Sequence, residues 1–493
     1  MSGLAGIISL EKSIKNKEKI NIMLDKISHR GRKRRVYNIR GNYIGINTNY
    51  KLYNRVGENL NLLDGKIYNL NNLFLKYNIK GNYTLISDTN KINLLFGSAG
   101  EKIFKEFKGS FALLFADING NIYIARDVIG RRPLYYFKTN GILMFASEIK
   151  SLIDFGTDIY ELQPGSCMLN FGGPKKIKKI DTGDFSLMEN QEDEKLEEKL
   201  ENYLLESVER RISNNNLKIG VWLSGGVDSS IVAAFLKEFT DNIYTYSVGF
   251  ENSPDLISAR EVASYLGTRH TEYKLNVDEL FSSIPNVIYY LESFDAPLVR
   301  SSLGNMIASK ISASSDVVFS GEGGDELFAG YNYFLEFDSS KLIQQELVKA
   351  INTLHNTALQ RVDRIANAYS INIKLPILDE NLLDFVLRIS PKKKVRKDKN
   401  TGKYILRKVA SKYLPEAITW RGKDKFWEGS GIKYTLESKI EDIITDREFI
   451  KARKLPGNIR LRNKEAFYYY KVFNECYSGI DFNNVISFTQ DFN

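Results

Sequence analysis

Cysteine and histidine are scarce in this chain of 493 residues: two cysteines, Cys167 and Cys476, and three histidines, His29, His270 and His355. Two distant cysteines build neither a disulfide framework nor a CxxC metal pattern, and three scattered histidines do not suggest a zinc site. No apolar run is long enough to span a bilayer, and the N-terminus lacks the charged and apolar regions of a secretory leader. A cytoplasmic protein with no membrane partner is therefore expected. Internal repeats and low-complexity segments are also missing. What is present is globular: 43% hydrophobic residues, with 28 Tyr and 28 Phe, over a length that predicts two or more domains with sizeable cores.

The net charge of +9 is compatible with nucleic acid or with a site for a nucleotide and an acidic substrate. Two basic clusters, Arg30 to Arg35 and Lys392 to Lys399, are not interleaved with aromatic stacking residues or set on a reading helix. Solvated loops are expected for both, with no nucleic-acid partner.

Residues 1 to about 170 read as β-rich. Leu4 to Leu10 has strand character, and Lys17 to Ile27 has helical spacing. Phe111 to Ala116 and Asn121 to Ala125 are strands joined across Asn119-Gly120, and Ile142 to Ser147 adds another. After Gly172-Gly173-Pro174 the texture changes. An acidic helix from about Glu192 to Arg211 carries one apolar stripe of Leu196, Leu200, Tyr203, Leu204, Val208 and Ile212. This places a boundary near 185, with domains 1–185 and 186–493. The second domain then alternates strand and helix: Ile219 to Leu223, a helix after Ser229, Ile243 to Val248, a helix around Ala259 to Leu266, and Asp316 to Phe319. Such alternation predicts a mostly parallel sheet with ligands at the carboxyl ends of its strands. From about Leu342 onward the chain reads as helical.

Between the first of these strands and its helix lies Ser224-Gly225-Gly226-Val227-Asp228-Ser229. Glycines let the backbone approach a ligand closely, and N–H groups at a helix start point at an anion in the loop. No Gly-Lys-Ser/Thr follows at Walker spacing. The segment instead resembles the SGGxDS loop of ATP pyrophosphatases. That resemblance implies Ser224, Gly225, Gly226 and Ser229 donating to pyrophosphate oxygens and Asp228 helping to hold Mg²⁺. A plain Gly-Gly turn with a polar N-cap is the simpler alternative. A second cluster, Ser320-Gly321-Glu322-Gly323-Gly324-Asp325-Glu326, follows the strand ending at Phe319. Its alternating glycines and acids suit a backbone that wraps a ligand, with one carboxylate for the metal and another for a proton or an attacking amine.

The collinear set of segments resembles the glutamine-dependent asparagine synthetases over almost the whole chain. It comprises SGGVDSS, Tyr246 to Phe250, Ser253-Pro254-Asp255-Leu256, Glu292 to Asp295, Arg300-Ser301-Ser302, SGEGGDELFAGY, Arg361-Val362-Asp363-Arg364 and Leu375 to Asp379. Lys403 to Lys408, Trp420 to Lys423, Phe426 and Gly429 to Gly431 complete it. The resemblance implies an α/β ATP-pyrophosphatase domain, with a parallel sheet and a helical C-terminal part. Its ligase chemistry would adenylate the side-chain carboxylate of aspartate, release pyrophosphate and let ammonia displace AMP. Carried over by position, Leu223, Val248, Ser320 and Gly321 would line the ATP site and Asp228 and Asp325 would bind Mg²⁺. Glu322 would serve the acyl-adenylate step, and Lys403 would neutralise phosphate charge. Lys403 alone reads as a surface lysine; its KYILRK setting raises it. Family members are often dimers, so a homodimer is expected.

The N-terminal half resembles the family's glutaminase domain, an α+β Ntn-hydrolase-like fold of stacked antiparallel sheets. It does so through Gly3-Leu4-Ala5-Gly6, His29-Arg30-Gly31, Ile67-Tyr68-Asn69, Ser87-Asp88 and Arg126-Asp127 with Pro133-Leu134-Tyr135. Its chemistry departs from the family. Ser2 stands where members carry the cysteine nucleophile, and Asp64-Gly65-Lys66 replaces Asn-Gly-Glu. No arginine matches the family's substrate-binding segment between Ile46 and Tyr53. A hydroxyl ionises far less readily than a thiol of pKa about 8.5, so a degenerate glutaminase that supports the fold is expected, with Ser2, Asp64, Lys66 and Asp88 as its vestigial residues. Three functions stay open: a synthetase fed by ammonia, a relative that makes another amide as β-lactam synthetases and lasso-peptide cyclases do, and a non-catalytic scaffold. Glu322 favours the first, since β-lactam synthetases place tyrosine there, and the intact carboxylate loops disfavour the third. Lys374 stands where relatives usually have arginine, a change that bears on either a carboxylate contact or only a surface pair.

Overall fold

The computed structural model describes residues 2–11, 15–50, 59–81, 85–180, 182–189, 191–212, 217–422 and 432–489. Lys423, Phe426 and Gly429 to Gly431, quoted above, lie outside them, as does the part of the Ile46 to Tyr53 segment from Lys51 onward. Two compact units are present, Met1–Lys179 with Tyr477–Ser487 and Ile180–Cys476 with Phe488–Asn493.

The first unit holds two antiparallel sheets. One runs, in spatial order, Lys33–Ile39, Asn42–Thr48, Ser2–Ser9, Ile142–Ala146, Tyr135–Thr139 and Ile159–Glu161. The other runs Lys175–Lys176, Ser166–Leu169, Ile122–Arg126, Gly109–Ala116 and Leu60–Ile67. The strand Gly109–Ala116 explains the stacking. Ala112, Leu114 and Ala116 enter the core shared with Leu4, Ile44 and Phe145 of the other sheet. Phe111, Leu113 and Phe115 face a second core with Phe74 and Ile92 of the helices Leu70–Lys76 and Asp88–Ala99. Alternate side chains leave a strand on opposite faces, so a strand covered on both reads as one apolar run.

The second unit is built on a five-stranded parallel sheet in the order Arg269–Lys274, Ile243–Gly249, Ile219–Trp222, Val317–Phe319, Ile373–Lys374. The expected strands are there; the first and last of this row were not expected. Sequence order reverses between Ile219–Trp222 and Val317–Phe319, which opens a crevice at their carboxyl ends. The helix Asp193–Glu209 buries Leu196, Leu200, Leu204 and Val208, while Tyr203 packs its ring 4.8 Å from that of Phe385.

Neither basic cluster is the solvated loop expected. Arg30 is fully buried against Glu148, and only then does the exposed edge strand Lys33–Ile39 begin. Lys392 and Lys393 pair with Glu189 and Asp193, but Lys394, at the end of the helix Pro391–Lys394, is buried, and burial pushes its ammonium down to about 7. Charge runs hide such members because burial depends on which face of a turn meets the core, and composition does not record that. Among the described residues no helix is long and apolar enough to cross a membrane.

Candidate active site

Leu223 leaves the strand Ile219–Trp222 with its N–H bonded to the Tyr246 carbonyl at 2.9 Å, and the chain turns through Gly225 at φ +73° into the helix Val227–Lys237. A side chain at Gly225 would be strained by that φ, and its Cβ would lie 2.5 Å from the Ala259 nitrogen. Ser258 holds the Gly225 carbonyl at 3.0 Å. The Ser229 hydroxyl bonds inward to the Ser224 N–H and the Gly226 carbonyl, both at 3.2 Å. These bonds fix the loop at the start of the helix, whose first N–H groups lack intrahelical acceptors.

The neighbouring strand Val317–Phe319 delivers the second loop. Gly324 packs on the first loop so closely that a Cβ there would sit 2.3 Å from the Asp228 Oδ1. Lys403 closes the constellation from a third segment: its ammonium pairs with Asp228 and lies 2.7 Å from the Asp325 carboxylate. Lys403 is only 3% exposed at the side chain and takes φ +57° ahead of the helix Tyr404–Ala410, a conformation uncommon for a non-glycine residue. Its own N–H is held by the Phe328 carbonyl at 3.0 Å. Two carboxylates and one ammonium leave the cluster a net charge of −1. Glu326, buried, has its carboxyl pushed up to about 7 by burial and by Asp325 and Glu322, and it accepts a 2.6 Å bond from the Tyr331 hydroxyl.

A cavity of about 190 Å³ covers this constellation. Leu223, Ser224, Gly226, Asp228, Ser229, Val248, Ser320, Gly321, Glu322, Asp325 and Lys403 all line it, and Gly225 supports them from the loop behind. Sequence reasoning gave no role to Asp255, Arg361, Arg407 or Arg421, which also line it. Arg361 pairs with Glu322 at 2.6 Å, and Arg421 with Asp255 at 2.9 Å. Arg407 donates to the carbonyls of Gly402, Thr419 and Arg421, and burial lowers its guanidinium from the usual value. Arg407 stands one turn after Lys403 in KYILRK and was legible as a neighbour; the other pairs join segments more than 30 residues apart.

In the first unit, Ser2 is fully buried. Its backbone N–H donates to Asp64 Oδ1 at 3.0 Å, and its hydroxyl shares a 2.8 Å bond with that of Thr48. Arg30 joins Asp64, at 3.5 Å, to Glu148, which also pairs with His29 at 3.0 Å and with Lys150. Burial would raise the Glu148 carboxyl, but His29, Lys150 and Arg30 hold it well below the usual range. Asp64 therefore accepts where an amide would donate. Lys66 lies on the same strand opposite Ser110, and Asp88 heads a helix capped by Ser87 and pairs with Lys91 at 3.8 Å.

Two glycine-rich loops thus meet at the reversal point of a parallel sheet with a lysine bridging their aspartates, and with the family matches that follow they mark an ATP-dependent amide-forming ligase. The chain belongs to the asparagine synthetase family. Residues 199–342 and 336–481 match the family described as "Asparagine synthase", and residues 1–166 match the "Glutamine amidotransferase domain". It is similar to "Asparagine synthetase B [glutamine-hydrolyzing]" of Escherichia coli, 32% identical over 448 residues, covering 86% of this chain and 80% of that protein. A "Probable asparagine synthetase [glutamine-hydrolyzing]" of Dictyostelium discoideum is 31% identical, covering 80% of this chain and 76% of that one. An "Asparagine synthetase [glutamine-hydrolyzing]" of Rattus norvegicus is also 31% identical, covering 77% and 74%.

Proposed function

We propose that the chain makes asparagine from aspartate, ATP and ammonia, and that its first unit does not hydrolyse glutamine. The observation that carries the synthetase half is the convergence of Asp228, Asp325 and Lys403 from three segments on one cavity. In this reading Leu223, Val248, Ser320 and Gly321 hold the nucleotide, while Ser224, Gly225, Gly226 and Ser229 grip the two terminal phosphates at the helix start. Mg²⁺ suits the donor set: hard carboxylate oxygens of Asp228 and Asp325 gather about one ammonium, and this ion is held by one or two carboxylates together with substrate phosphates. When bound, it offsets phosphate charge.

An oxygen of the aspartate side-chain carboxylate bonds to the α-phosphorus, and the bond to the bridging oxygen breaks with its electron pair leaving on pyrophosphate. Lys403, whose side chain is 3% exposed, places an ammonium where that charge collects, and burial limits the screening of that charge. Ammonia then bonds to the acyl carbon, AMP departs with the C–O electron pair, and Glu322 takes the surplus proton from nitrogen. The loss of glutaminase chemistry is supported by Ser2. Its hydroxyl is buried against Thr48, and the neighbouring Asp64 offers an acceptor where an oxyanion needs a donor.

The test is pyrophosphate release from Mg-ATP and aspartate with ammonium or glutamine, with mass detection of the amide. Asparagine from ammonium and not from glutamine is expected. Equal yield from glutamine, with glutamate released in step, would overturn the inactive first unit. Pyrophosphate release driven by another carboxylate would move the substrate assignment to that acid.

A further inference from the structure

We propose that Arg361 anchors the acid substrate through its second carboxylate, the one that does not react; this rests on the carboxylate-adenylating reading above. Arg361 belongs to the helix Ala358–Ala368, buried from Ala358 to Asn367, so its side chain starts from a fixed base. It is 9% exposed and lines the cavity beside Glu322, with Nη2 2.6 Å from Oε2. Its buried Nε has no hydrogen-bond partner among the described residues. Guanidinium donors form a planar fork that matches a carboxylate two bonds at a time, so part of the fork of this cavity-lining residue is uncommitted. A buried N–H without an acceptor is costly, and a ligand oxygen removes that cost.

The other lining cations have work elsewhere. Lys403 serves Asp228 and Asp325, Arg421 serves Asp255, and Arg407 holds three carbonyls. Arg364, one turn further along the helix, pairs with Glu292 at 3.0 Å. The cavity wall also carries Asp228, Asp255, Glu322 and Asp325, whose field repels a dianion. A dicarboxylate whose reacting end must approach the nucleotide therefore needs a cation for its other end, and Arg361 supplies the donors.

The test compares wild type, Arg361→Met and Arg361→Lys in the full chain, measuring aspartate- and ammonium-dependent pyrophosphate release. Aspartate KM should rise roughly 10- to 100-fold in Arg361→Met, with kcat changed less than about threefold and the ATP KM unmoved. Arg361→Lys should keep part of the affinity. β-Alanine is aspartate without the second carboxylate, so the preference for aspartate over β-alanine should shrink by the same factor in Arg361→Met. An unmoved aspartate KM, or a loss confined to kcat, overturns the proposal by showing that Arg361 acts through Glu322 alone. The rise in melting temperature on adding Mg-ATP reports folding, and Arg361→Lys carries the test if Arg361→Met does not fold. If wild type turns over a different dicarboxylate, only the aspartate reading falls, and the same KM comparison on that acid decides this one. Turnover of monocarboxylates alone, or of no acid, sinks both.

Discussion

Each unit gathers acids and bases around a site that the family signature marks, yet the two clusters differ in access. In the second unit, the side chains of Asp228, Asp325, Glu322 and Arg361 keep 11–19% exposure along a cavity wall. In the first, Arg30, Asp64 and Glu148 are wholly buried and Lys150 is 2% exposed, each turned toward another member of the cluster. The same residue types thus serve opposite ends. Charges that face a cavity can exchange partners for phosphates and a carboxylate. Charges that satisfy one another in the core rigidify it, and losing one leaves its partner buried alone.

The largest effect that would sharpen this contrast comes from the bridging lysine. Lys403→Ala should lower ammonia-dependent pyrophosphate release by roughly 100- to 1,000-fold, measured as kcat, whereas Ser2→Ala should leave it unchanged. Equal losses from both would break the comparison. Next comes Glu148→Gln, which should destabilise the first unit by about 3–5 kcal/mol by removing the buried carboxylate charge that His29, Arg30 and Lys150 share, read from denaturant or thermal unfolding. Because its folded pKa is depressed, the Glu148 contribution is fully present above the unfolded carboxyl value of about 4.3 and is lost as pH falls through the folded value. The acid limb of the wild-type stability curve should therefore flatten in the variant.

Lys394 supplies a counterexample inside the second unit, a buried ammonium with no hydrogen-bond partner among the described residues. Lys394→Met should stabilise the chain by roughly 1–4 kcal/mol near pH 7. With a folded value of about 7, below the unfolded one, the wild type should gain stability as pH rises from 7 toward 10, since across that window the unfolded chain still holds a proton that the folded chain has lost. That slope should vanish in the variant. The smallest effect is expected from Ser2→Cys: glutamine-dependent synthesis should stay at background, because Asp64 still accepts where a donor is required. Robust glutamine use by this single variant would show that the nucleophile alone had been lost.

Much of the fold was legible because periodicity survives in one dimension. The run Phe111 to Ala116, the stripe from Leu196 to Val208 and the strand-turn-helix around Ser224 each state their structure within a few residues. The strand Arg269–Lys274 was not, since its residues are largely polar and partly exposed at a sheet edge. Of the site, the two loops were legible because glycine and carboxylate spacing is local. Lys403 was legible only through its resemblance to a family segment.

The order of residues by itself determined which loops carry the paired glycines, which acids stand beside them and that a serine occupies position 2, because those properties belong to short stretches. Tertiary structure alone decided that Lys403 bridges Asp228 and Asp325, that Arg361 lines the cavity with a buried N–H lacking a hydrogen-bond partner among the described residues, and that Arg30 and Lys394 leave their basic runs for the core. Those outcomes depend on distances between segments far apart in the chain and on burial, which sets the electrostatic strength and the proton affinity of every charge involved.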